Sequence, residues 1–131
     1  MRTLLKLHAG KAIEISSTMD AELFVRVQRE DLDEMLGNLL DNACKWAKSK
    51  VVVEAAMDGT MLAITVHDDG PGLPSELRSV VLERGVRIDE ATPGSGLGLA
   101  IVRDLAELYG GSISLDDSYL GGLAARVSLP V

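Results

Sequence analysis

Apolar residues return every three or four positions between residues 30 and 47, a spacing that predicts an amphipathic helix with one buried face. The apolar positions of that face are Leu32, Met35, Leu36, Leu39, Leu40, Ala43 and Ala47. A second helix is predicted over residues 97–109, with Gly110 as the glycine that follows its end. Its predicted apolar face consists of Leu97, Ile101, Leu105 and Leu108.

Six β-branched or alternating runs surround these helices and predict strands. They span residues 12–16, 24–27, 51–56, 61–67, 111–116 and 123–129. Asp58-Gly59 predicts a tight hairpin between the third and fourth runs, and a short helix is predicted from 75 to about 82. Since the elements are mixed without strict βαβ alternation, we expect an α+β fold. It would be a two-layer sandwich with helices on one face of a mixed, mostly antiparallel sheet.

Composition narrows the class of protein without identifying it. The chain has 131 residues, 47% hydrophobic and 25% charged, which fits a single globular domain over 1–131. Its formal net charge of −7 argues against nucleic acid or an anionic membrane as a partner. A single cysteine, Cys44, excludes an internal disulfide. No apolar run has the length of a membrane span, so we expect a cytoplasmic domain without direct membrane contact.

Three polar residues lie beside the apolar face of the first helix. Asn38, Asn42 and Lys45 are spaced i, i+4 and i+7, which places them close together on the helix surface. Two amide oxygens one turn apart can share a hard cation such as Mg²⁺. A solvated helix face explains the same asparagines equally simply. Trp46 could either flank the core or border a nucleotide.

Two glycine-containing segments suggest a ligand. Asp68-x-Gly70-x-Gly72 follows a predicted strand, where the carboxylate can accept a hydrogen bond from an exocyclic amine. A Gly-Pro-Gly turn with solubilising acids is the alternative. Residues 94–98 lead into the second helix and offer backbone N–H groups to phosphate. Their place in the chain excludes a Rossmann fingerprint, and the absence of GxxxxGK[ST] excludes a P-loop.

Residues 83–96 lack apolar periodicity and are expected to form a long loop. Arg84 and Arg87 in this loop could reach a terminal phosphate or could be ordinary surface charges. Neither His8 nor His67 has the neighbouring sequence that marks a phosphorylated histidine.

Taken in order, these segments resemble the N, G1 and G2 boxes of sensor histidine kinases, and most nearly those of PhoQ-type kinases. The segments are Asn38-Leu-Leu-Asp-Asn42-Ala-Cys-Lys45, Asp68-Asp-Gly-Pro-Gly72 and Gly94-Ser-Gly-Leu-Gly98. The resemblance runs from about residue 31 to the C-terminus. It implies the ATP-binding Bergerat fold, which is shared with type II topoisomerases, Hsp90 and mismatch-repair ATPases.

The resemblance also implies a role for each site residue. Asn38 and Asn42 would hold Mg²⁺, Lys45 would contact phosphate and Trp46 would lie near the nucleotide. The implied adenine site is formed by Asp68, Gly70 and Gly72. The implied ATP lid spans 83–96, and its phosphate-binding residues are Arg84, Arg87, Gly94, Ser95, Gly96, Leu97 and Gly98. The lid departs from the family in having Leu82 where a phenylalanine is usual, and Ser95 where some relatives carry glutamine.

One position favours phosphoryl transfer over hydrolysis. ATPases of this fold place a glutamate four residues before the metal-binding asparagine, where it acts as general base. Here that position holds Asn38, and Glu34 lies one turn further back. We therefore expect a histidine kinase domain that uses Mg²⁺ with ATP or ADP. Its partners would be a separate dimerisation and phosphotransfer domain and a response regulator.

In that interpretation residues 1–11 would be the tail of a linker, in an inner-membrane sensor whose kinase domain is cytoplasmic. Two other hypotheses are a stand-alone ATPase or anti-sigma-like regulator, and a scaffold that binds no nucleotide.

Overall fold

The computed structural model describes residues 2–8, 11–19, 27–82 and 98–130. These ranges contain six strands and three helices. The strands are β1 (Arg2–His8), β2 (Lys11–Met19), β3 (Lys50–Asp58), β4 (Met61–Asp68), β5 (Ser112–Asp117) and β6 (Leu123–Pro130). The helices are α1 (Arg29–Trp46), α2 (Ser75–Val81) and α3 (Gly98–Leu108).

The strands form one sheet in the order β1-β2-β3-β4-β6-β5. Only the β2–β3 pair is parallel, and the other four pairs are antiparallel. Because β6 lies between β4 and β5, His67 at the end of β4 pairs with Ala124 near the start of β6. This register brings the 68–72 segment against the turn that connects β5 to β6.

Side chains from alternate strand positions form one hydrophobic core under α1 and α3. On the strands it includes Val51, Val53, Ala55, Leu62, Ile64, Val66, Leu115, Leu123, Ala125, Val127 and Leu129. Helix α1 packs against α3, β3 and β4, and α3 packs against β5 and β6. The predicted α+β sandwich, with helices on one face of a mostly antiparallel sheet, is confirmed.

The predicted stripe of α1 is the one that is buried. Met35, Leu39, Ala43 and Ala47 are nearly inaccessible, and Leu32, Leu36 and Leu40 pack partly buried beside them. The Cys44 side chain is buried in the same row. Asn38, Asn42 and Lys45 are half-buried beside this stripe, whereas Asp33, Glu34 and Asp41 are exposed.

The predicted apolar face of α3 is only partly confirmed: Leu105 packs against the core and Ile101 is half-buried, whereas Leu97 lies outside the described residues. The buried residues are Leu99, Ala100, Val102 and Ala106, whereas Leu108 is 73% exposed. The first five residues of α3, Gly98–Val102, are uncharged and mostly apolar, so hydrophobic spacing alone did not show which of them face inward. The small side chains of Ala100 and Ala106 lie inward because they allow α3 to approach its neighbours closely.

The N-terminal part also differs from expectation. Residues 2–8, interpreted from sequence as part of a linker tail, form β1 and pair with β2. The predicted strand 12–16 lies within the longer β2. Most of the predicted strand 24–27 lies outside the described residues, and Val27 lies in a bend before α1.

Two turns follow their sequence signals. Asp58 pairs with Met61, which leaves a two-residue hairpin loop in which Gly59 has φ 65°. Gly110 has φ 82° after α3, and the next residue, Gly111, donates its N–H to the Ala106 carbonyl. Across the described ranges, no helix is both long and apolar enough to cross a membrane.

Candidate functional site

The candidate site is centred on Asp68, the last residue of β4. This residue is 2% exposed, and its Oδ1 accepts hydrogen bonds from the Gly70 N–H at 2.9 Å and the Leu123 N–H at 3.2 Å. Both bonds within the described residues end on Oδ1, so Oδ2 remains as an acceptor for a ligand. The β4–β6 register thus fixes a carboxylate at the strand end.

Burial raises the pKa of Asp68 above its usual value of 3.8, and the two backbone hydrogen bonds act in the opposite direction. A carboxylate in this position loses hydration that a bound hydrogen-bond donor can replace. An exocyclic amine supplies such a donor, which is the role that the sequence predicts for this side chain.

The glycines beside Asp68 allow close approach of backbone segments. A Cβ at Gly70 would lie less than 3.0 Å from the carbonyl oxygen of Trp46, at the end of α1. Gly72 has φ 77° and lies next to the backbone of Gly121 and Gly122. Gly70 therefore has a packing role that the sequence did not reveal: it seats the 68–72 segment against α1.

Asp69 is a structural residue that sequence reasoning missed. Its Oδ1 accepts hydrogen bonds from the N–H groups of Lys48 at 2.8 Å, Ser49 at 3.1 Å and Lys50 at 3.2 Å. Its Oδ2 accepts from the Ser49 hydroxyl at 3.0 Å. The side chain thus holds the α1–β3 connection against the end of β4. In the sequence it looks like one of two solubilising acids, and no local pattern separates it from Asp68.

These hydrogen bonds predict a pH-dependent contribution to stability. Burial alone would raise the pKa of Asp69, but the N–H groups of residues 48–50 outweigh it and lower the pKa below 3.8. The unfolded chain therefore takes up the proton first as the pH falls. The stabilisation is complete above the unfolded pKa and is lost as the pH falls through the folded pKa. We expect Asp69→Asn to lower the free energy of unfolding at neutral pH by about 2 kcal/mol.

Urea unfolding of both proteins between about pH 7 and pH 2 measures this effect, because only the difference between the two curves reports Asp69. The difference is expected to shrink towards zero at the acid end. Asp116→Asn, at an exposed position on β5, is the matched control and should change stability by less than about 0.5 kcal/mol. A deficit of undiminished size at the acid end would contradict the role assigned to Asp69.

The polar side of α1 supplies oxygen atoms that fit a hard cation. The Nδ2 of Asn38 donates to the Glu34 carbonyl at 2.8 Å, and the Oδ1 of Asn38 is 3.3 Å from where a Cβ would lie on Gly98, the first residue of α3. The amide oxygen therefore faces the N-terminus of α3. Asn42 is half-buried one turn further along. Within the described residues no group of three His, Cys, Asp or Glu side chains is placed to hold a metal. The amide oxygens of Asn38 and Asn42 stay the predicted ligands.

Lys45 and Trp46 complete the described part of the site. The Lys45 Nζ lies 5.4 Å from the centroid of the Trp46 ring, within the range of a cation–π interaction. Both side chains are half-buried in the last turn of α1. The cation and the aromatic ring thus lie together at the end of α1, where the Trp46 backbone carbonyl meets Gly70.

Two contacts join the segments that carry predicted residues: Asn38 on α1 faces Gly98 at the start of α3, and the Trp46 carbonyl at the end of α1 lies against Gly70. Gly70 and Gly72 follow Asp68, the last residue of β4, and Asn42 and Lys45 lie on α1 between Asn38 and Trp46. The other predicted residues lie outside the described residues. They are Arg84, Arg87, Gly94, Ser95, Gly96 and Leu97. The lid over 83–96 and its phosphate contacts accordingly stay predictions.

The family of the chain follows from comparison with known proteins. Residues 27–131 match the model of the histidine kinase-, DNA gyrase B- and HSP90-like ATPases, and the chain belongs to this family. It is 51% identical over 127 residues to the sensor protein kinase CarS of Pseudomonas aeruginosa, an alignment that covers 97% of the chain and 28% of CarS. It is 41% identical over 122 residues to the virulence sensor histidine kinase PhoQ of Salmonella typhimurium, covering 93% of the chain and 25% of PhoQ.

The fold agrees with these relatives. The catalytic domain of the histidine kinase ThkA superimposes with a TM-score of 0.79 at 26% identity, covering 88% of this chain and 77% of that domain. The chain is therefore a catalytic ATP-binding domain of the sensor histidine kinase type, and the predicted resemblance to PhoQ-type kinases is confirmed. It spans about a quarter of the length of the curated relatives that it matches.

Proposed function

We propose that this domain binds Mg²⁺-ATP between α1, α3 and the end of β4, and donates the γ-phosphoryl group to a histidine on a separate dimerisation domain. The observation that carries the proposal is the buried carboxylate of Asp68, whose Oδ1 is held by two backbone N–H groups while Oδ2 can accept from a ligand. An adenine amine matches that acceptor, and the rest of the site follows from its position.

The described residues suggest how the remainder of the nucleotide is held. Asn38 and Asn42 would provide oxygen ligands to Mg²⁺, which neutralises charge on the phosphates when bound. Lys45 would contact phosphate from the last turn of α1. Trp46 would lie beside the nucleotide, and the N-terminus of α3 at Gly98 would present its backbone N–H groups to phosphate.

Contacts outside the described residues belong to the same proposal. Arg84 and Arg87 would reach the γ-phosphate from the lid. The glycines of 94–98 would let the chain follow the triphosphate, with Ser95 among the residues that line it. These assignments rest on the sequence and on membership in the family.

The absence of a carboxylate at residue 38 favours transfer over hydrolysis. The Asn38 amide cannot accept a proton from water at neutral pH, and its Nδ2 is bonded to the Glu34 carbonyl. The Glu34 side chain is exposed one turn away. In the proposed reaction the bond between the γ-phosphorus and its bridging oxygen breaks, a phosphorus–nitrogen bond forms on the acceptor imidazole, and that ring loses a proton.

We infer the surroundings of the domain from its relatives. CarS and PhoQ are named as sensor kinases, so the intact protein would be a two-component sensor with its kinase domain on the cytoplasmic side of the inner membrane. A response regulator would receive the phosphoryl group. A stand-alone ATPase or an anti-sigma-like regulator is the second candidate, because ATPases belong to the same family.

Phosphoryl transfer tests the proposal directly. The purified chain, ATP labelled on the γ-phosphate and Mg²⁺ are mixed with and without the histidine-bearing hairpin domain of the same protein. We expect acid-labile label on the hairpin domain only, and slow release of inorganic phosphate in its absence. Asn42→Ala should abolish the labelling, whereas Asp41→Ala, at an exposed neighbouring position, should not. Rapid ATP hydrolysis by the chain alone, abolished by Glu34→Gln, would instead favour the ATPase.

A further inference from the structure

The turn between β5 and β6, residues 118–122, is organised around Ser118. The Ser118 N–H donates to the Gly122 carbonyl at 2.8 Å, and the Gly121 N–H donates to the Ser118 carbonyl at 3.0 Å. The Ser118 Oγ also accepts from the Leu120 N–H at 3.1 Å. Three hydrogen bonds through one buried residue give this short turn a defined shape.

The turn contacts the Asp68 carboxylate directly. The next residue, Leu123, donates its N–H to Asp68 Oδ1. A Cβ on Gly122 would lie less than 3.0 Å from Asp68 Oδ1, from the Asp68 carbonyl oxygen and from the Gly70 nitrogen. The backbone at Gly122 thus lies against the carboxylate, and any displacement of the turn must move Asp68.

A second connection runs through His67, the residue before Asp68. The His67 Nδ1 and the Ser118 Oγ are 2.9 Å apart, and both residues are buried. The Tyr119 ring lies 4.7 Å from the imidazole, and His67 Nε2 is 3.5 Å from a Glu54 carboxylate oxygen. Burial lowers the pKa of His67, although the carboxylates of Glu54 and Asp68 oppose it, and so favours the neutral ring.

We propose that Ser118 is a positioning residue that, through His67 and the 118–122 turn, holds the Asp68 carboxylate in place and sets the preference for adenine over guanine. The inference rests on the proposed function, since it assumes that Asp68 faces the base. Adenine presents an amine donor at the position where guanine presents a carbonyl acceptor. A carboxylate held in place accepts a hydrogen bond from the adenine amine and repels the guanine carbonyl oxygen. A displaced carboxylate forms a weaker hydrogen bond with adenine and repels guanine less.

The test compares ADP and GDP affinities of the purified chain and Ser118→Ala in the presence of Mg²⁺. Calorimetry measures ADP binding, and GDP is measured by competition with ADP. We expect ADP affinity to fall about fivefold, the scale of one lost hydrogen bond, while GDP affinity stays the same or rises. Ser114→Ala, which removes an exposed hydroxyl from β5, should leave both affinities unchanged.

Two further variants separate positioning from a general loss of stability. Ser118→Thr retains the hydroxyl and should keep the ratio of ADP affinity to GDP affinity at the value of the unaltered chain. His67→Phe keeps a ring beside Tyr119 but removes the nitrogen bonded to Ser118, so the ratio should fall as in Ser118→Ala. An equal loss of affinity for both nucleotides, or an unchanged ratio in Ser118→Ala and His67→Phe, would overturn the inference. Failure of the unaltered chain to bind ADP at all would refute the proposed function instead.

Discussion

Asp68→Asn is expected to weaken ADP binding by about 30- to 100-fold, which corresponds to loss of a hydrogen bond to a charged group, and to leave the domain folded. The asparagine has the same shape, and its amide oxygen can take over the bonds from the Gly70 and Leu123 N–H groups. Its Nδ2 then replaces Oδ2 and presents a donor where the adenine amine needs an acceptor. Guanine offers a carbonyl oxygen at that position, so GDP should bind more tightly than before.

The same substitution should not reduce stability. Because the folded pKa of Asp68 is raised, the native state binds the proton more tightly than the unfolded chain does. The contribution of Asp68 to stability is therefore greatest below the unfolded pKa and declines as the pH rises through the folded pKa. At neutral pH the ionised carboxylate opposes folding, so Asp68→Asn should maintain or increase the free energy of unfolding. The Asp68 carboxylate therefore reduces stability at neutral pH, and its proposed role in nucleotide binding explains why an aspartate occupies this position.

Calorimetry with ADP and GDP, together with urea unfolding at neutral pH, tests both parts. Asp69→Asn is the matched control at the adjacent residue, and the expected pattern is reversed: stability falls while the preference for ADP is retained. If Asp68→Asn bound ADP with unchanged affinity, Asp68 would not be the base-recognising residue. If it unfolded the domain, its role would be structural.

Elements with a single strong periodicity were predictable from the sequence. The stripe of α1 matches the buried face, because seven apolar positions share one spacing and most of the other positions are charged or polar. The β3–β4 hairpin has a glycine at its turn and apolar runs on both sides. The buried face of α3 was only partly predictable, because the uncharged run Gly98–Val102 has apolar residues on several sides and its inward side depends on the neighbouring elements.

At the candidate site the sequence identified side chains with ligand-binding chemistry, such as Asp68, Asn38 and Asn42, and their roles stay predictions. The supporting structure around these side chains was not predictable. Asp69 and Ser118 act on residues 19 to 51 positions away in the chain, through contacts that depend on strand order and register. Because β6 lies between β4 and β5, the turn after β5 contacts the end of β4. This contact depends on the strand order, which no local sequence pattern in either segment predicts.

Gly70→Ala is the second substitution with a large expected effect, and here binding and stability should fall together. A methyl group at this position would lie less than 3.0 Å from the carbonyl oxygen of Trp46 and 3.1 Å from Asp68 Oδ1. Both neighbours are fixed: the carbonyl belongs to the end of α1, and the carboxylate oxygen is bonded to the Gly70 N–H itself. We expect the free energy of unfolding to fall by about 2 kcal/mol, as in other overpacked sites.

Gly70→Ala should also weaken ADP binding at least tenfold. The 68–72 segment can relieve the close contact only by moving away from α1, and this movement would displace Asp68. Gly37→Ala provides the control on the exposed side of α1, where a Cβ meets nothing within 4 Å. That substitution should raise the free energy of unfolding by about 0.5–1 kcal/mol and leave ADP affinity unchanged, since alanine favours the helix more than glycine does. Wild-type stability in Gly70→Ala would show that α1 and the Asp68 segment are not held against each other, and the site would then lack the rigidity on which adenine recognition depends.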